Sequence, residues 1–512
     1  MTRLLDPTKL IRPFAHRRMR ALWERDPVAA QRRALARLLH RAKATRFGRA
    51  HGFDRLGDDV GAFQAAVPLG DYDDFWQGWW KDAFPVLDDL TWPGRIPFFA
   101  ATSGTTSGRT KYIPLTHETL KQNRRAALDM VAAHLVHHPH SRFFGGRSFV
   151  LGGSTALQEE APGIWSGDLS GIVAKTAPAW MRPFTFPPKG LALEADWDEK
   201  LRLMSDALPS RTITSLSGVP SWVLLLFERL EAAHDRWPLP DLEVFVHGGV
   251  PYGPYKQRVA PYLARSGAVT REVYPASEAF LAYADRGPDE GLLLAYDTGV
   301  FFEFVPTEEL ESADPTRHWL ATIEPGIDYA VVLSGPSGLW SYILGDTVRF
   351  LETKPPRLVV TGRTAYQLSA FGEHLIPAEI DDAVSRTMRE AEATLGEYVV
   401  GPELPNRPGA LGHHVFLIET PDHDRLDATA LARRIDQVLA ERNDDYETHR
   451  KNDIGMAAPE VVLLPPGTCA RWMQAQGKLG GQHKIPRVIA DAERFEEARA
   501  GLQKAAKEAG GT

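Results

Sequence analysis

Between Ala101 and Pro114 the chain reads ATSGTTSGRTKYIP, a run rich in the groups that phosphate oxygens require. Ser103, Thr105 and Thr106 offer hydroxyl donors, Gly104 and Gly108 let backbone N–H groups approach, and Lys111 adds a positive charge, all within nine positions. The order is not that of a Walker A loop, because no lysine directly follows the second glycine of a correctly spaced pair. By composition alone the run suits a polar surface loop equally well.

Three further stretches carry candidate chemistry. Val273-Tyr274-Pro275-Ala276-Ser277-Glu278 places a carboxylate where a strand-like run ends, GLWSYILGDTV (338–348) does the same with Asp346, and Gly481-Gln482-His483-Lys484-Ile485-Pro486-Arg487 offers a late cation. Together with the first run they resemble, in order, the motifs of adenylate-forming enzymes. The extra loop residue Ser107 resembles the longer phosphate loop of the Gretchen Hagen acyl-acid amido synthetases, the auxin- and jasmonate-responsive family. The other stretches are similar to that family's Y-A-S-S-E, G-L-Y-R-Y-R-x-G-D-V and Q-Y-K-x-P-R segments. The resemblance runs from about residue 30 to residue 490.

The resemblance implies an ATP-dependent ligase. A carboxylic acid would be activated as acyl-AMP with release of pyrophosphate, and an amino acid or other amine would then take the acyl group. It assigns Thr102, Ser103, Gly104, Thr105, Thr106, Ser107, Gly108, Gly249, Tyr274, Ser277, Asp346 and Arg363 to the nucleotide, and Lys484, Glu278 and Lys111 to catalysis, with Glu278 also holding Mg²⁺. Each role has a physical counterpart and a plainer alternative. A carboxylate beside phosphates suits Mg²⁺, although a turn glutamate is more often merely solvated. Asp346 could accept both ribose hydroxyls, or only cap a turn. Tyr274 could stack on adenine opposite His247-Gly248-Gly249 and Tyr252, but a place in the core serves these residues nearly as well. Lys484 suits charge developing at the α-phosphate, with Lys478 as its rival. The chain departs from the family pattern at Ile343, where an arginine follows the tyrosine, and at Tyr366, where the hinge residue is usually Asp or Lys.

Two other chemistries are disfavoured. The histidine clusters His137-His138-x-His140 and His413-His414 lack a helix-spaced metal motif, and no G-x-S-x-G elbow marks a serine hydrolase. The single cysteine, Cys469, excludes an internal disulfide or a cysteine-built metal centre. Rivals to the amide ligase are an acyl-CoA ligase sharing its first step and an inactive scaffold homologue; the intact Lys111, Glu278, Asp346 and Lys484 speak against the scaffold.

The elements that must position these residues are legible in outline. Helical periodicity covers 14–45, 116–137, 196–207 and 219–234, and strands are predicted at 148–153, 212–218, 242–249, 271–277, 298–306, 328–334 and 357–363. Their alternation predicts an α/β domain over 1–365 with mixed and largely parallel sheet, binding ATP and the acyl acid. A smaller, mobile α+β lid is predicted over 366–512, with helices at 373–396 and 428–443 and strands at 413–420 and 459–467. The helix 116–136 and the segment 164–186, with Trp165, Trp180, Phe184 and Phe186, are candidates for an acyl pocket or for core.

Of 512 residues, 59 are Lys or Arg and 66 Asp or Glu, a formal charge of −7. Residues 1–51 hold 14 basic and 3 acidic side chains, and the spacing of Val28, Leu35, Leu38 and Leu39 puts most of those arginines on the solvated face of an amphipathic helix. Neither a nucleic-acid nor a membrane partner is expected. The longest aliphatic stretch, Trp222 to Phe227, is far short of a membrane span, and the expected protein is cytoplasmic, a monomer or weak dimer.

Overall fold

The computed structural model describes residues 6–102, 110–152, 157–192, 197–249, 252–310, 312–363, 368–373, 375, 377–405, 407, 410–450, 455–476 and 485–509. The chain divides into two compact units. The larger comprises Met1–Thr102, Lys111–Gly249 and Lys256–Thr364; the smaller comprises Ser103–Thr110, Val250–Tyr255 and Ala365–Thr512.

The helical run predicted over 14–45 is two helices, Thr8–Glu24 and Pro27–Ala42. The break follows from Asp26-Pro27: the Asp26 carboxylate accepts the Val28 N–H at 2.9 Å, and proline at the first helical position supplies no N–H of its own. Leu35, Leu38 and Leu39 are buried as their spacing predicts. The expectation of a mainly solvated basic face holds, since most of the described arginines of this segment are exposed. Arg32, Arg33 and Arg37 face solvent, but Arg12 donates to the carbonyls of Leu135, His138 and Ser141 and so closes the C-terminus of helix His117–His137. Arg18 bonds both oxygens of Asp129 at 2.7 Å and also reaches Asp297 at 2.7 Å, where Arg25 and Arg125 converge at 2.6 and 3.1 Å. Periodicity could not show this, because the acidic partners lie over a hundred residues away.

Among the described residues the main sheet of this unit has twelve strands. In spatial order they are His318–Trp319, Phe301–Pro306, Asp328–Ser334, Tyr342–Thr353, Pro356–Arg363, Leu292–Leu294, Phe280–Tyr283, Val269–Pro275, Val244–His247, Ile213–Gly218, Arg147–Leu151 and Thr185–Phe186. From Val269–Pro275 to Thr185–Phe186 every pairing is parallel, with helices such as Pro220–Ala233 and Gly253–Ala264 making the crossovers. Towards the other edge every pairing is antiparallel. The predicted largely parallel sheet is thus half right: after residue 275 the connections become too short for crossovers, and short turns impose antiparallel neighbours. A second sheet joins Lys111–Leu115, Phe98–Thr102, Ile164–Gly167 and Leu157–Ala161.

The smaller unit has a three-stranded sheet, Tyr398–Glu403, His413–Glu419 and Glu460–Leu464. Alternate residues serve opposite faces. Tyr398, Val400, Phe416 and Ile418 pack against helices Pro377–Glu390 and Ala428–Arg442, while Val399, Val415 and Leu417 meet Thr468–Ala475 and Ala492–Ala509. The helix predicted over 373–396 is shorter than its periodicity suggested, and Ala492–Ala509 was not predicted. Register also brings Glu403, His413 and Glu460 together, a triad the sequence did not suggest, with Arg499 bonded to both glutamates. Among the described residues no helix is long and apolar enough to cross a membrane.

The N-terminal helix is tied to the sheet through Asp285. Its Oδ2 accepts the Trp23 indole N–H at 2.7 Å, and both its oxygens receive the Arg357 guanidinium at 3.0 and 2.7 Å, with Asp285 and Arg357 almost wholly buried. Removing one partner of such a pair strands the other charge in the core. Asp285→Ala should therefore lower unfolding free energy by about 3–5 kcal/mol, read as a lower urea midpoint for this unit at unchanged slope.

Candidate functional site

The phosphate-loop candidate springs from a hairpin. Phe98–Thr102 and Lys111–Leu115 pair antiparallel with Thr102 opposite Lys111, so the loop leaves and re-enters the sheet at one point. Ser103, Gly104, Thr105, Thr106, Ser107 and Gly108 lie outside the described residues, as do Lys478, Lys484 and Tyr366. At the mouth Thr102 is half-buried and Lys111 is buried, 9% exposed. The ammonium stands 5.3 Å from the centroid of the Tyr72 ring, which offsets part of its desolvation. The Tyr72 hydroxyl in turn accepts the Tyr112 N–H at 2.9 Å and fixes the strand that carries the lysine.

Glu278 lies in the tight turn between Val269–Pro275 and Phe280–Tyr283. The turn is closed by the Ala276 N–H to the Ala279 carbonyl at 2.9 Å and pinned from helix His117–His137 by Asn123, whose Oδ1 accepts the Phe280 N–H at 3.0 Å. The residue keeps some exposure, yet its carboxyl is crowded. Burial raises its pKa first and the neighbouring Asp346 raises it further, while Lys111 and a hydrogen bond from the Tyr342 phenol pull the other way. Burial and Glu278 together hold the Tyr342 phenol well above its ordinary pKa, so it remains a donor.

Asp346 is buried, and its Oδ2 accepts the Tyr274 phenol at 2.6 Å. Tyr274 is itself buried, so its polar end is committed to the carboxylate proposed for ribose. Asp346 is paired across the hairpin with Arg363, whose side chain lies outside the described residues. Ser277 is half-buried beside Glu278. Where Val244–His247 ends, Gly248 passes so close to the next strand that a Cβ would meet the Val273 carbonyl oxygen at 2.2 Å, and Gly249 turns with φ +84°. His247 is buried and held neutral, its pKa lowered to about 4. Ile343, at the position of the family arginine, packs beside an apolar cluster of Val305, Ala330 and Val332.

The structure therefore gathers Lys111, Glu278, Asp346 and Tyr274 from three separate stretches of sequence and adds Tyr342 and Tyr72, which sequence reasoning missed. Tyr342 had a signal, since it stands four residues before Asp346 in the quoted motif; Tyr72 had none. Of the acyl-pocket candidates, Phe186 is core, its ring edge-on to Phe149 at 4.9 Å. Trp165 is half-buried beneath the Lys175 ammonium, 3.6 Å from its ring centroid. Two confronted carboxylates with one buried lysine suit a hard cation and the phosphoryl oxygens it would bridge.

A carboxyl whose folded pKa is raised costs no stability below its unfolded pKa, where it is protonated in both states. The cost appears as pH rises past that value and is complete above the folded pKa. Glu278→Gln should therefore raise the thermal midpoint at pH 8, with the gain shrinking towards zero near pH 4, as differential scanning calorimetry across that range would report.

The sequence pattern of the GH3 family N-terminal domain matches residues 18–233, that of the central domain residues 293–363 and that of the C-terminal domain residues 378–493. Relatives include the probable indole-3-acetic acid-amido synthetase GH3.9 of Oryza sativa subsp. japonica, 26% identical over 45% of this chain and 56% of that protein. Another is the indole-3-acetic acid-amido synthetase GH3.8 of Oryza sativa subsp. indica, 28% identical over 37% of this chain and 33% of that protein. These alignments thus span about a third to a half of each relative's length. In fold, the chain is similar to the AtGH3.15 acyl acid amido synthetase in complex with 2,4-DB, with TM-score 0.59 and 18% identity over 99% of this chain and 98% of that one. It is also similar to 2-hydroxyisobutyryl-CoA ligase with 2-HIB-AMP and CoA, with TM-score 0.59 and 16% identity over 93% and 92%. With its N-terminal, central and C-terminal patterns matched in order, the chain belongs to the GH3 family.

Proposed function

We propose that this protein is an ATP-dependent acyl-acid amido synthetase. The observation that carries the reading is the confrontation of Glu278 with Asp346 at the mouth of the hairpin that holds Lys111. The amido synthetases and the adenylate-bearing ligase among its relatives and structural neighbours support the same chemistry.

In the first half-reaction the carboxylate of the acid attacks the α-phosphorus of ATP and pyrophosphate leaves, so the chain must manage negative charge and needs no covalent nucleophile of its own. Lys111 supplies a partly desolvated positive charge for phosphoryl oxygens, and the loop 102–108 supplies hydroxyl and N–H donors. Asp346 accepts from ribose hydroxyls, and Arg363, Gly249 and Ser277 complete the nucleotide contacts. Glu278 would hold Mg²⁺, whose positive charge would offset the repulsion that Asp346 exerts on this carboxylate. When bound, Mg²⁺ neutralises phosphoryl oxygens and clamps them. In the second half-reaction an amine attacks the acyl carbon and AMP departs, which requires water to be excluded until the amine arrives.

Lys484 serves adenylation, where charge on the α-phosphate and the bridging oxygen is greatest. The region 1–365 takes ATP and the acyl acid, and 366–512 acts as the lid. The protein works in the cytoplasm as a monomer or weak dimer.

Three measurements test this reading. ATP–pyrophosphate exchange, screened over aryl, indolyl and fatty acids, should require Mg²⁺ and fall by about 10²-fold or more in Glu278→Ala; exchange at the wild-type rate would remove the metal assignment. With CoA and mixed amino acids both present, mass analysis should find amide, whereas thioester without amide points to an acyl-CoA ligase. Lys484→Ala should lose about 10²-fold in adenylate formation yet still turn synthetic acyl-AMP and amine into amide, with Lys478→Ala as the control; equal loss in both halves contradicts the division of labour.

A further inference from the structure

A cavity of about 430 Å³ opens at the start of strand Val269–Pro275, away from the catalytic cluster. Val269, Thr270 and Arg271 line it on one side, with Arg286, Pro288, Glu290 and the end of helix His117–His137 around them. Arg271 and Tyr274 are three residues apart on one strand, so their side chains leave opposite faces and the cavity is separate from the site of Asp346.

Arg271 is 3% exposed. One terminal nitrogen donates to the Arg286 carbonyl, the other lies 3.3 Å from Nε2 of His138, and its buried Nε has no partner. Among the described residues no carboxylate stands within ion-pair distance of it, and burial lowers its pKa despite the pull of Asp285 and Glu290. The nearby acids are committed elsewhere. Asp285 binds Arg357 and Trp23, Glu352 binds Arg286 at 2.8 Å, and Glu290 accepts the Gly287 N–H at 3.1 Å. Burial and the charges of His134, Arg271 and His137 depress His138 to about pH 4, so its ring is neutral and adds no charge. A buried guanidinium without a counter-ion is costly, and an incoming anion would remove that cost.

We propose that this cavity is a binding site for a small organic carboxylate with a compact apolar body, anchored by Arg271. Asp285 and Glu290 act on Arg271 only from beyond ion-pair distance among the described residues, and its guanidinium presents a planar fork to a carboxylate. Val269, Pro288 and the stem of Arg286 supply apolar walls, and the volume is that of an ordinary small-molecule pocket. A phosphate would bring a second charge that nothing here neutralises.

The test is ¹⁹F NMR titration of the full chain with 4-fluorobenzoate, without ATP, so that it does not depend on the proposed activity. Wild type should show saturable binding that weakens on the order of tenfold or more in Arg271→Gln and in Val269→Trp, which lies on the same strand face as Arg271, fills the cavity and leaves the guanidinium in place. Arg271→Lys should retain part of it, and inorganic phosphate at equal concentration should not displace the probe. If Arg271→Gln fails to fold, Val269→Trp decides the matter. No binding by wild type, or binding unaffected in both cavity variants and hence located elsewhere, overturns the proposal; displacement by phosphate overturns the carboxylate class.

Discussion

Two carboxylates within electrostatic reach of each other set the terms for the candidate site of the large unit. Glu278 and Asp346 come from separate parts of the sheet, and Asp346 raises the Glu278 pKa on top of what burial does. Left alone, a chain would relieve such a confrontation by turning one side chain into solvent. Here each is held: Asp346 by the Tyr274 phenol at 2.6 Å, Glu278 by the Tyr342 phenol and by a turn that Asn123 pins from the neighbouring helix. The sheet on either side is the frame that makes this placement rigid. The parallel half ends in the strand bearing Tyr274, and the antiparallel half supplies the long strand bearing Tyr342 and Asp346. The catalytic cluster thus draws on both sides of the change in strand direction.

Buried cations in this unit are handled in three ways. Lys111 is offset by an aromatic face as well as by Glu278. Arg18 and Arg357 are bound by carboxylates through two nitrogens each; the first pair fastens the N-terminal helix to helix His117–His137, and the second shares Asp285 with Trp23 of that helix. Arg271 has neither, and only neutral acceptors approach it. A cation held by a polarizable face or by neutral acceptors retains more of its field for a ligand than one neutralised by a bidentate carboxylate.

What could be read from the sequence tracks what is local. Strand Asp328–Ser334 has the bounds that its apolar run predicts, and helix His117–His137 begins at the Thr116 cap one residue from expectation. Both follow from periodicity and capping, which act over a few residues. The strands Phe98–Thr102 and Lys111–Leu115 were not predicted, because five residues without clean alternation carry little signal until they pair with each other. Strand direction was legible only where helices intervene. The candidate site residues were named through motifs rather than contacts: Lys111, Glu278 and Asp346 are brought together, whereas Tyr72, the Asp285 pair and the basic head's acidic partners depend on long-range packing that leaves no trace in local spacing.

Ile343 shows how far a motif can carry an argument about charge. Its backbone pairs with Val332 in the strand ladder, its N–H reaches the Gly70 carbonyl at 2.9 Å, and its side chain joins Val305, Ala330 and Val332 in a small apolar cluster. An arginine at this register would have to bury a guanidinium in that cluster or strip apolar contact from it to reach solvent, and either change is unfavourable. The isoleucine is therefore consistent with its local packing. It follows that whatever positive charge the family places there must, in this chain, come from elsewhere on the same sheet edge. Lys111 is one such source, because its positive charge counters the rise in the Glu278 pKa. Among the described residues, Lys111 is the cation set beside Glu278, its ammonium facing the ring of Tyr72.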